Sequence, residues 1–403
     1  MSKIKDIPKH WEIKKLGEVC LTTSGGTPKR TNSKFYQGNI PWVKSGELDR
    51  GLILDTEENI SEDAVKNSSA KVFPKGTLLI ALYGATIGKL AFLGIDAATN
   101  QAICGIYKNE NIDSNYLFNF LFYKKPSLVK QGIGGAQPNI SQGILKNLDI
   151  PLPPLPEQQA IVAKIEELLS ELENGKQQLQ TAQQQLKVYL QSLLKSAFEG
   201  KELLPFENFV DTSQNGLSKR TGTNGEEYKV LRLADITNNV IDKSSPRKIV
   251  MNEKEIEKYK IKKDDLICVR VNGSKDLVGK LVHVSNQNEK DNWAFCDHFI
   301  RFRLHPQKAY SKYFFFYFST VKMRKYIHDN MVTSAGQNTV SQATIKNAPV
   351  PNCSVEEQQL IVDELENKLT ICDKVEETIK NSLQQAETLR QSILKQAFAG
   401  KLV

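Results

Sequence analysis

Cysteine is scarce and scattered. The chain has 403 residues and only six cysteines, Cys20, Cys104, Cys268, Cys296, Cys353 and Cys372, with no C-x-x-C pair among them. This argues against a disulfide scaffold or a zinc knuckle and predicts reduced, mostly buried thiols. The nearest thing to a ligand pair, Cys296 with His298, has no second pair close by in sequence, so no metal site is expected. Long apolar runs are missing too. The greasiest stretch, TLLIALY at 77–83, falls far short of the roughly 20 residues of a membrane span. The start, MSKIKDIPKHWEIKK, is charged throughout, so a soluble cytoplasmic protein is expected, with no membrane partner. There is no G-x-x-x-x-G-K-[ST] phosphate loop, no G-x-G-rich cofactor loop and no Asn-Pro-Pro-aromatic motif. Asp6 with Glu12-Ile13-Lys14 is the closest approach to a nuclease carboxylate pattern, and it lacks a second carboxylate cluster to hold a metal. These absences argue against catalysis by this chain itself.

What the chain does have is an internal repeat at an offset of 200 residues. LPEQQAIV at 155–162 returns as VEEQQLIV at 355–362, and LKSAFEGK at 194–201 as LKQAFAGK at 394–401. Ser141, Gln142, Lys146, Asn147 and Pro151 recur as Ser341, Gln342, Lys346, Asn347 and Pro351. Long-period self-similarity marks duplicated units. Here the matched tracts are separated by segments of little mutual identity, so similar connectors join two divergent modules. The expected division is a first module at 1–150, a connector at 151–205, a second module at 206–348 and a connector at 349–403.

Charge follows the same division. Residues 1–150 carry 19 Lys and Arg against 14 Asp and Glu, and residues 206–348 carry 24 against 16. The connectors are acidic, with 5 against 7 at 151–205 and 6 against 9 at 349–403. Basic modules suit a polyanion, because each phosphate neutralised by Lys or Arg releases condensed counterions. They equally suit plain solubility, and charge by itself does not decide.

Both connectors read as long helices. Apolar positions alternate in steps of four and three through Ile161, Ile165, Leu168, Leu172, Gly175, Leu179, Ala182, Leu186, Tyr189, Leu193 and Ala197. The second copy runs through Ile361, Leu365, Lys368, Cys372, Val375, Ile379, Ser382, Ala386, Leu389, Ile393 and Ala397. This is a heptad seam, weaker in the second copy. Pro156 suits a first helical turn, Ser354 with Glu357 makes a capping box, and Gly200 and Gly400 suit left-handed C-terminal caps. Asn174-Gly175 marks a point open to kinking. Helices of about 42 residues would be about 63 Å long. Their seams need cover, which an antiparallel pairing with each other would supply; packing on the modules or a homodimer zipper are the alternatives.

Within the modules, strand-length apolar runs come in the same order. GTLLIALY (76–83), KLAFLG (89–94) and QAICGIY (101–107) are answered by DLICVRV (265–271), KLVHV (280–284) and HFIRFRL (298–304). A Gly-containing loop follows the first run in each, YGATIG (83–88) or VNGSKDLVG (271–279). An aromatic-rich segment closes each module, SNYLFNFLFY (114–123) or SKYFFFYFST (311–320), read as a helix whose rings belong to the core.

The tracts IPWVKSGEL (40–48), FPKGTLLIALYGATIGKLAF (73–92), NQAICGI (100–106), GGAQPNIS (134–141) and the PLPPLPEQQ-type entry to each helix resemble the DNA-specificity subunits of type I restriction-modification systems. The likeness spans essentially the whole chain. It implies an α+β protein with two globular target-recognition domains of similar fold, separated by two long antiparallel coiled-coil helices and related by a pseudo-two-fold axis. Each domain would read one half of a bipartite, asymmetric site in double-stranded DNA. The helices would set the spacer and dock two methyltransferase (M) subunits, with restriction (R) subunits as further partners. No cofactor would be bound by this chain: S-adenosylmethionine would sit in the methyltransferase, ATP and Mg in the restriction subunit. The alternative is a non-enzymatic coiled-coil scaffold whose two basic modules bind proteins or RNA.

Reading bases in the major groove needs paired donors and acceptors. In the first module the candidates are Lys44, Ser45, Tyr83, Thr86, Lys89, Asn100, Gln101, Gln137 and Asn139. In the second they are Arg232, Arg270, Asn272, Ser274, Lys275, His298, Gln337 and Asn338. Each also has a plainer role open to it, as a partner for loop backbone or as a phosphate contact.

Overall fold

A computed structural model of the chain describes residues 7–132, 139–237, 240–241, 246–285 and 292–403. The chain divides into two compact units, Met1–Leu179 with Asn381–Val403, and Gln180–Lys380.

In the first unit one sheet runs in the order Thr22–Ser24, Ile103–Ile106, Leu78–Ala81, Leu90–Leu93, Leu52–Ile53. Leu78–Ala81 and Ile103–Ile106 are buried at every position, which is why they read as unbroken apolar runs rather than as an alternation. A smaller sheet has the order Glu58–Ile60, Ile40–Val43, Ala97–Thr99, Val72–Phe73, with Ile40–Val43 parallel to Ala97–Thr99. The second unit repeats both patterns. Val210–Asn215, Phe299–Leu304, Leu266–Val269 and Leu281–His283 take the same neighbour order as the first four strands above, all antiparallel. Arg247–Met251, Glu226–Leu231 and Trp293–Phe295 match the smaller sheet, again with the last pair parallel. The two units therefore share a fold.

The aromatic segments are helical and face inward. Ser114–Gln131 is capped by Asp113, whose carboxylate accepts the Asn115 and Tyr116 N–H groups at 2.9 Å, and Tyr116 and Phe120 are fully buried. In the second unit Ser311–Tyr317 buries Tyr313 and Phe314. Short helices Gln142–Lys146 and Gln342–Lys346 each start under a serine cap, Ser141 accepting from Ile144 N at 3.1 Å and Ser341 from Thr344 N at 2.9 Å.

The long helices are Leu155–Ala197 and Val355–Ala397, 43 residues each. The first runs unbroken through Gly175, so no interruption occurs at Asn174-Gly175. Gly200 (φ 78°) and Gly400 (φ 66°) end them in the left-handed conformation. Ser354 accepts the Glu357 N–H at 3.2 Å, one half of the capping box; the Glu357 carboxylate pairs with Lys201. In the first unit Ile161 and Ile165, near the start of one helix, share a core with Leu394, Ala397 and Phe398 at the end of the other, and Lys176 meets Glu387 at 2.8 Å. In the second unit Leu193, Leu194 and Phe198 share a core with Val362 and Leu365. Start against end in both places is antiparallel pairing. The seam is narrower than the heptad pattern predicts. Leu365, Cys372, Ile379, Ala386 and Ile393 are buried, one per heptad, whereas Tyr189, Val375 and Leu389 are 50%, 42% and 51% exposed. A single partner covers one strip of each helix, and the other line of apolar side chains stands at the edge of that strip.

Five of the six cysteines are buried, and burial pushes Cys20 up to about 11 and Cys268 up to about 12, so these thiols stay protonated. Among the described residues no helix is long and apolar enough to cross a membrane.

Candidate nucleic-acid interface

In the first unit the strand Leu78–Ala81 leads into a single 3-10 turn, Gly84–Thr86, and returns through Gly88 (φ 75°) to Leu90–Leu93. Thr86 Oγ1 donates to the Tyr83 carbonyl at 2.7 Å and Gly88 N to the Ala81 carbonyl at 2.9 Å, which closes the loop on itself. Tyr83 forms an antiparallel bridge with Asn139. The second unit has the same arrangement with a longer loop. Val271 and Asn272 pair with Thr339 and Asn338, so Val271 opposite Thr339 is the counterpart of Tyr83 opposite Asn139. A hairpin, Val332–Ser334 with Gln337–Thr339, turns through Ala335 (φ 47°) and Gly336 (φ 76°), the two left-handed residues that a tight two-residue turn requires. Arg324 pins the loop from beneath, Nη2 donating to the carbonyls of Asp276 at 3.1 Å and Val278 at 2.7 Å.

A second cluster forms where Ile40–Val43 and Glu226–Leu231 end. Each strand runs into a cation whose backbone N–H is held by a buried acid three residues on: Lys44 N donates to Glu47 Oε1 at 2.8 Å and Arg232 N to Asp235 Oδ2 at 2.8 Å. Both acids are 5% exposed. The neighbouring strands bring further candidates alongside. Asn100 N donates to the Val43 carbonyl at 3.0 Å, and Cys296 N to the Leu231 carbonyl at 3.1 Å, which places Gln101 near Lys44 and His298 near Arg232.

The electrostatics of the two clusters differ. Lys44 Nζ pairs with Glu57 at 2.6 Å and Glu58 at 3.2 Å, and Arg30 pairs with Glu58 while lying 4.2 Å over the Tyr36 ring. The hydrogen bond to Glu57 holds Lys44 above the usual lysine range, as the one to Glu58 does for Arg30. In the second unit the fork of Arg232 grips Asp235 through Nε at 3.0 Å and Nη2 at 2.6 Å.

The remaining candidates divide by what their side chains touch. Tyr83, Asn139, Ser274, Lys275 and Gln337 are exposed. Ser45 opens the short 3-10 helix Ser45–Arg50 half-buried, and Lys89 pairs with Asp49. Asn100 Oδ1 is buried with no hydrogen-bond partner among the described residues, and Gln101 accepts from Thr27 Oγ1. Arg270 Nη1 donates to the Asp297 carbonyl at 3.4 Å, and Asn272 Oδ1 accepts the Ser274 N–H at 2.8 Å. Asn338 is 3% exposed, accepting from Thr333 Oγ1 and donating to the Gly273 carbonyl at 2.9 Å, so its side chain shapes the hairpin from inside. His298 Nδ1 lies 3.6 Å from Cys296 Sγ and 3.3 Å from Asp297 Oδ1. These three residues bring their possible ligand atoms within 4.8 Å of one another, beside Arg232 and Arg247, whose charge favours an anionic guest over a cation. Gln137 and Asp6 lie outside the described residues.

Sequence reasoning overlooked Arg30, Arg220 and Arg247. A repeat at a shorter offset points to the first two: GTPKRT at 26–31 and GLSKRT at 216–221. A glycine opens the way into each. A Cβ on Gly25 would lie 2.3 Å from the Thr99 carbonyl oxygen, and one on Gly216 1.9 Å from that of Cys296.

Comparison with known proteins agrees with this architecture. The family described as Type I restriction modification DNA specificity domain matches residues 8–181 and again 211–385. The chain is 29% identical to the StySPI specificity subunit of Salmonella potsdam, over 98% of this chain and 90% of that protein. It is 26% identical to the EcoKI specificity subunit of Escherichia coli K12, with the same two coverages. Among solved structures it is similar in fold to the HsdS subunit of Thermoanaerobacter tengcongensis, with a TM-score of 0.65 at 19% identity over 98% of each chain. A chain from a type I R-M system solved for its complex assembly and conformational transition gives a TM-score of 0.74 at 20% identity, over 98% of this chain and 99% of that one.

Proposed function

This chain belongs to the type I restriction modification DNA specificity family, and from that premise we propose that each of its two units reads one half of a bipartite, asymmetric sequence in double-stranded DNA. The observation that supports this is the duplicated strand order carrying unlike side chains at matched places: Lys44 against Arg232, Tyr83 against Val271, and a short loop against a long one. One fold with two different loops suits two different half-sites, because base edges are read by side chains while the scaffold holds them in place. In this reading residues 1–150 and 206–348 are the recognition domains, and 151–205 and 349–403 are connectors that set the spacer. The contacting residues are drawn from the exposed Tyr83, Asn139, Ser274, Lys275 and Gln337, from the half-buried Thr86 and Asn272 beside them, and from the strand-end group Lys44, Ser45, Asn100, Gln101, Arg232, Arg270 and His298. Asn338 acts by positioning, and Lys89 through a phosphate.

The chain works in the cytoplasm without chemistry of its own. Methyl transfer belongs to two methyltransferase subunits docked on the connectors, which bring S-adenosylmethionine, and cleavage to restriction subunits, which bring ATP and Mg. The test is selection from a pool of random duplexes by the purified full chain, alone and with its methyltransferase partner. Enrichment of a split motif with a fixed gap is expected. Enrichment of nothing would return the chain to the scaffold alternative.

A further inference from the structure

The second unit contains a cleft of about 270 Å³ whose wall includes Ser218, Arg220, Arg232, Arg247 and His298. Four separate stretches of chain build it: the basic loop after Val210–Asn215, the end of Glu226–Leu231, the first residue of Arg247–Met251, and the turn between Trp293–Phe295 and Phe299–Leu304. Gly216 lets two of these touch, since any side chain there would run into the Cys296 backbone. The cleft is therefore a built feature of the fold, with its width fixed by backbone contact.

Its charge is incompletely answered from within. Arg232 has Asp235, and His298 has Asp297. Among the described residues Arg220 and Arg247 have no acidic partner and the buried Arg247 Nε has no hydrogen-bond partner. Buried guanidinium donors are ordinarily satisfied, and one left open at the wall of a cleft is ready for an acceptor brought by a guest. The corresponding place in the first unit is already filled, because Glu57 and Glu58 take up Lys44 and Arg30.

We propose that this cleft seats one nucleotide of the half-site read by the second unit, with Arg220 and Arg247 donating to a pair of convergent acceptors. The acceptors are O6 and N7 of a guanine edge or two oxygens of a backbone phosphate, both of which match guanidinium geometry. The proposal rests on the DNA-specificity reading above. It adds an asymmetry to that reading: the second unit presents open guanidiniums where the first presents neutralised ones.

The test uses the full chain with Arg220→Gln and Arg247→Gln, separately, in duplex selection and in binding titrations across a salt series. A guanine contact is expected to remove a G preference at one position of one half-site, with discrimination falling roughly tenfold or more and the other half-site unchanged. A phosphate contact is expected to leave the motif intact, weaken binding, and make log K against log salt shallower by about one per arginine. Either result supports the cleft. Variants that melt like the parent and keep motif, affinity and salt slope overturn it while leaving the DNA-specificity reading in place. A parent chain that enriches no motif overturns both. Arg220 is exposed and has no side-chain bond or ion pair among the described residues, so its variant decides the question even if Arg247→Gln lowers stability.

Discussion

The side-chain oxygen of Gln158 accepts the backbone N–H of Asp113 at 2.8 Å. From a fully buried position the same amide donates to the carbonyls of Pro153 at 2.9 Å and Asn111 at 3.2 Å. Gln358 repeats the arrangement in the second unit, with Tyr310 N at 2.7 Å and the carbonyls of Cys353 at 3.0 Å and Lys308 at 3.1 Å. One glutamine thus ties the first turn of each long helix to the segment that starts the aromatic helix of its unit. Gln358→Ala leaves buried backbone groups without partners and should cost about 2–3 kcal/mol. Gln358→Glu, which cannot donate to the two carbonyls, should do no better. Urea midpoints within about 0.5 kcal/mol of the parent for both would show that the amide is incidental.

Gly279 sets the exit of the second unit's long loop between Val271–Asn272 and Leu281–His283. Its φ is 72°, and a Cβ there would lie 2.6 Å from Ile327 Cγ2. Gly279→Ala should cost about 2 kcal/mol in backbone strain and overpacking. It should also weaken binding through one half-site, by displacing Ser274 and Lys275. Gly273→Ala, whose Cβ would meet only the Gly336 carbonyl at 4.0 Å, serves as the stability control. Equal denaturation midpoints for the two variants would contradict the account.

His283 is set against protonation by burial first, with Lys312 adding to it and Asp264 and Glu366 opposing. Its Nε2 meets Ser311 Oγ at 2.9 Å and Asp264 Oδ1 at 3.2 Å. The folded-state pKa lies below the unfolded value of about 6.5. Below that pH the unfolded chain therefore binds more protons than the folded one. Stability is complete above about pH 6.5 and declines as pH falls through it. His283→Gln keeps a hydrogen-bonding side chain and should flatten the dependence of the urea midpoint between pH 7 and pH 5.

Gly175 sits inside an unbroken helix with nothing within 4 Å of an added Cβ. Gly175→Ala should raise stability by about 1 kcal/mol, through helix propensity and a less flexible unfolded chain, and leave the selected DNA motif unchanged. A destabilised variant would mean that the helix bends there.

Seven residues inserted into the middle of both long helices would keep the heptad register and lengthen each by about 10.5 Å. That is close to three base-pair steps of about 3.4 Å. If the connectors act as a ruler, the selected motif keeps both half-sites and gains about three base pairs between them. An unchanged gap defeats the ruler.

The sequence carried the long helices and the central strands well because both are governed by local apolar pattern, periodic in the helices and unbroken in the strands. The 200-residue repeat and the Gly caps located Leu155–Ala197 and Val355–Ala397, and unbroken apolar runs located Leu78–Ala81 and Leu266–Val269. The parallel pairing of Ile40–Val43 with Ala97–Thr99 was illegible, since it joins segments more than 50 residues apart and leaves no period in either. Side-chain partnership was equally hidden. Nothing in the spacing distinguishes Asn338, closed inside a hairpin, from Gln337 beside it, which is exposed. Nor does it reveal that Glu57 and Glu58 neutralise Lys44. The arginines at 220 and 247 line one cleft across 27 residues of sequence, where Gly216 lies against the Cys296 backbone and Gly222 against that of Val250.

The first unit borrows Asn381–Val403, and Phe398 from that segment packs edge-on against Tyr116 and Phe120. On the ribosome, the second unit, a single stretch from Gln180 to Lys380, emerges whole before the first has its last piece. At about 5–20 residues per second, the half translated first waits roughly 10–40 s with an aromatic socket open to chaperones or to the wrong helix. Synthesis order and completion order are thus reversed in this chain, and Phe398 is the latch that arrives last.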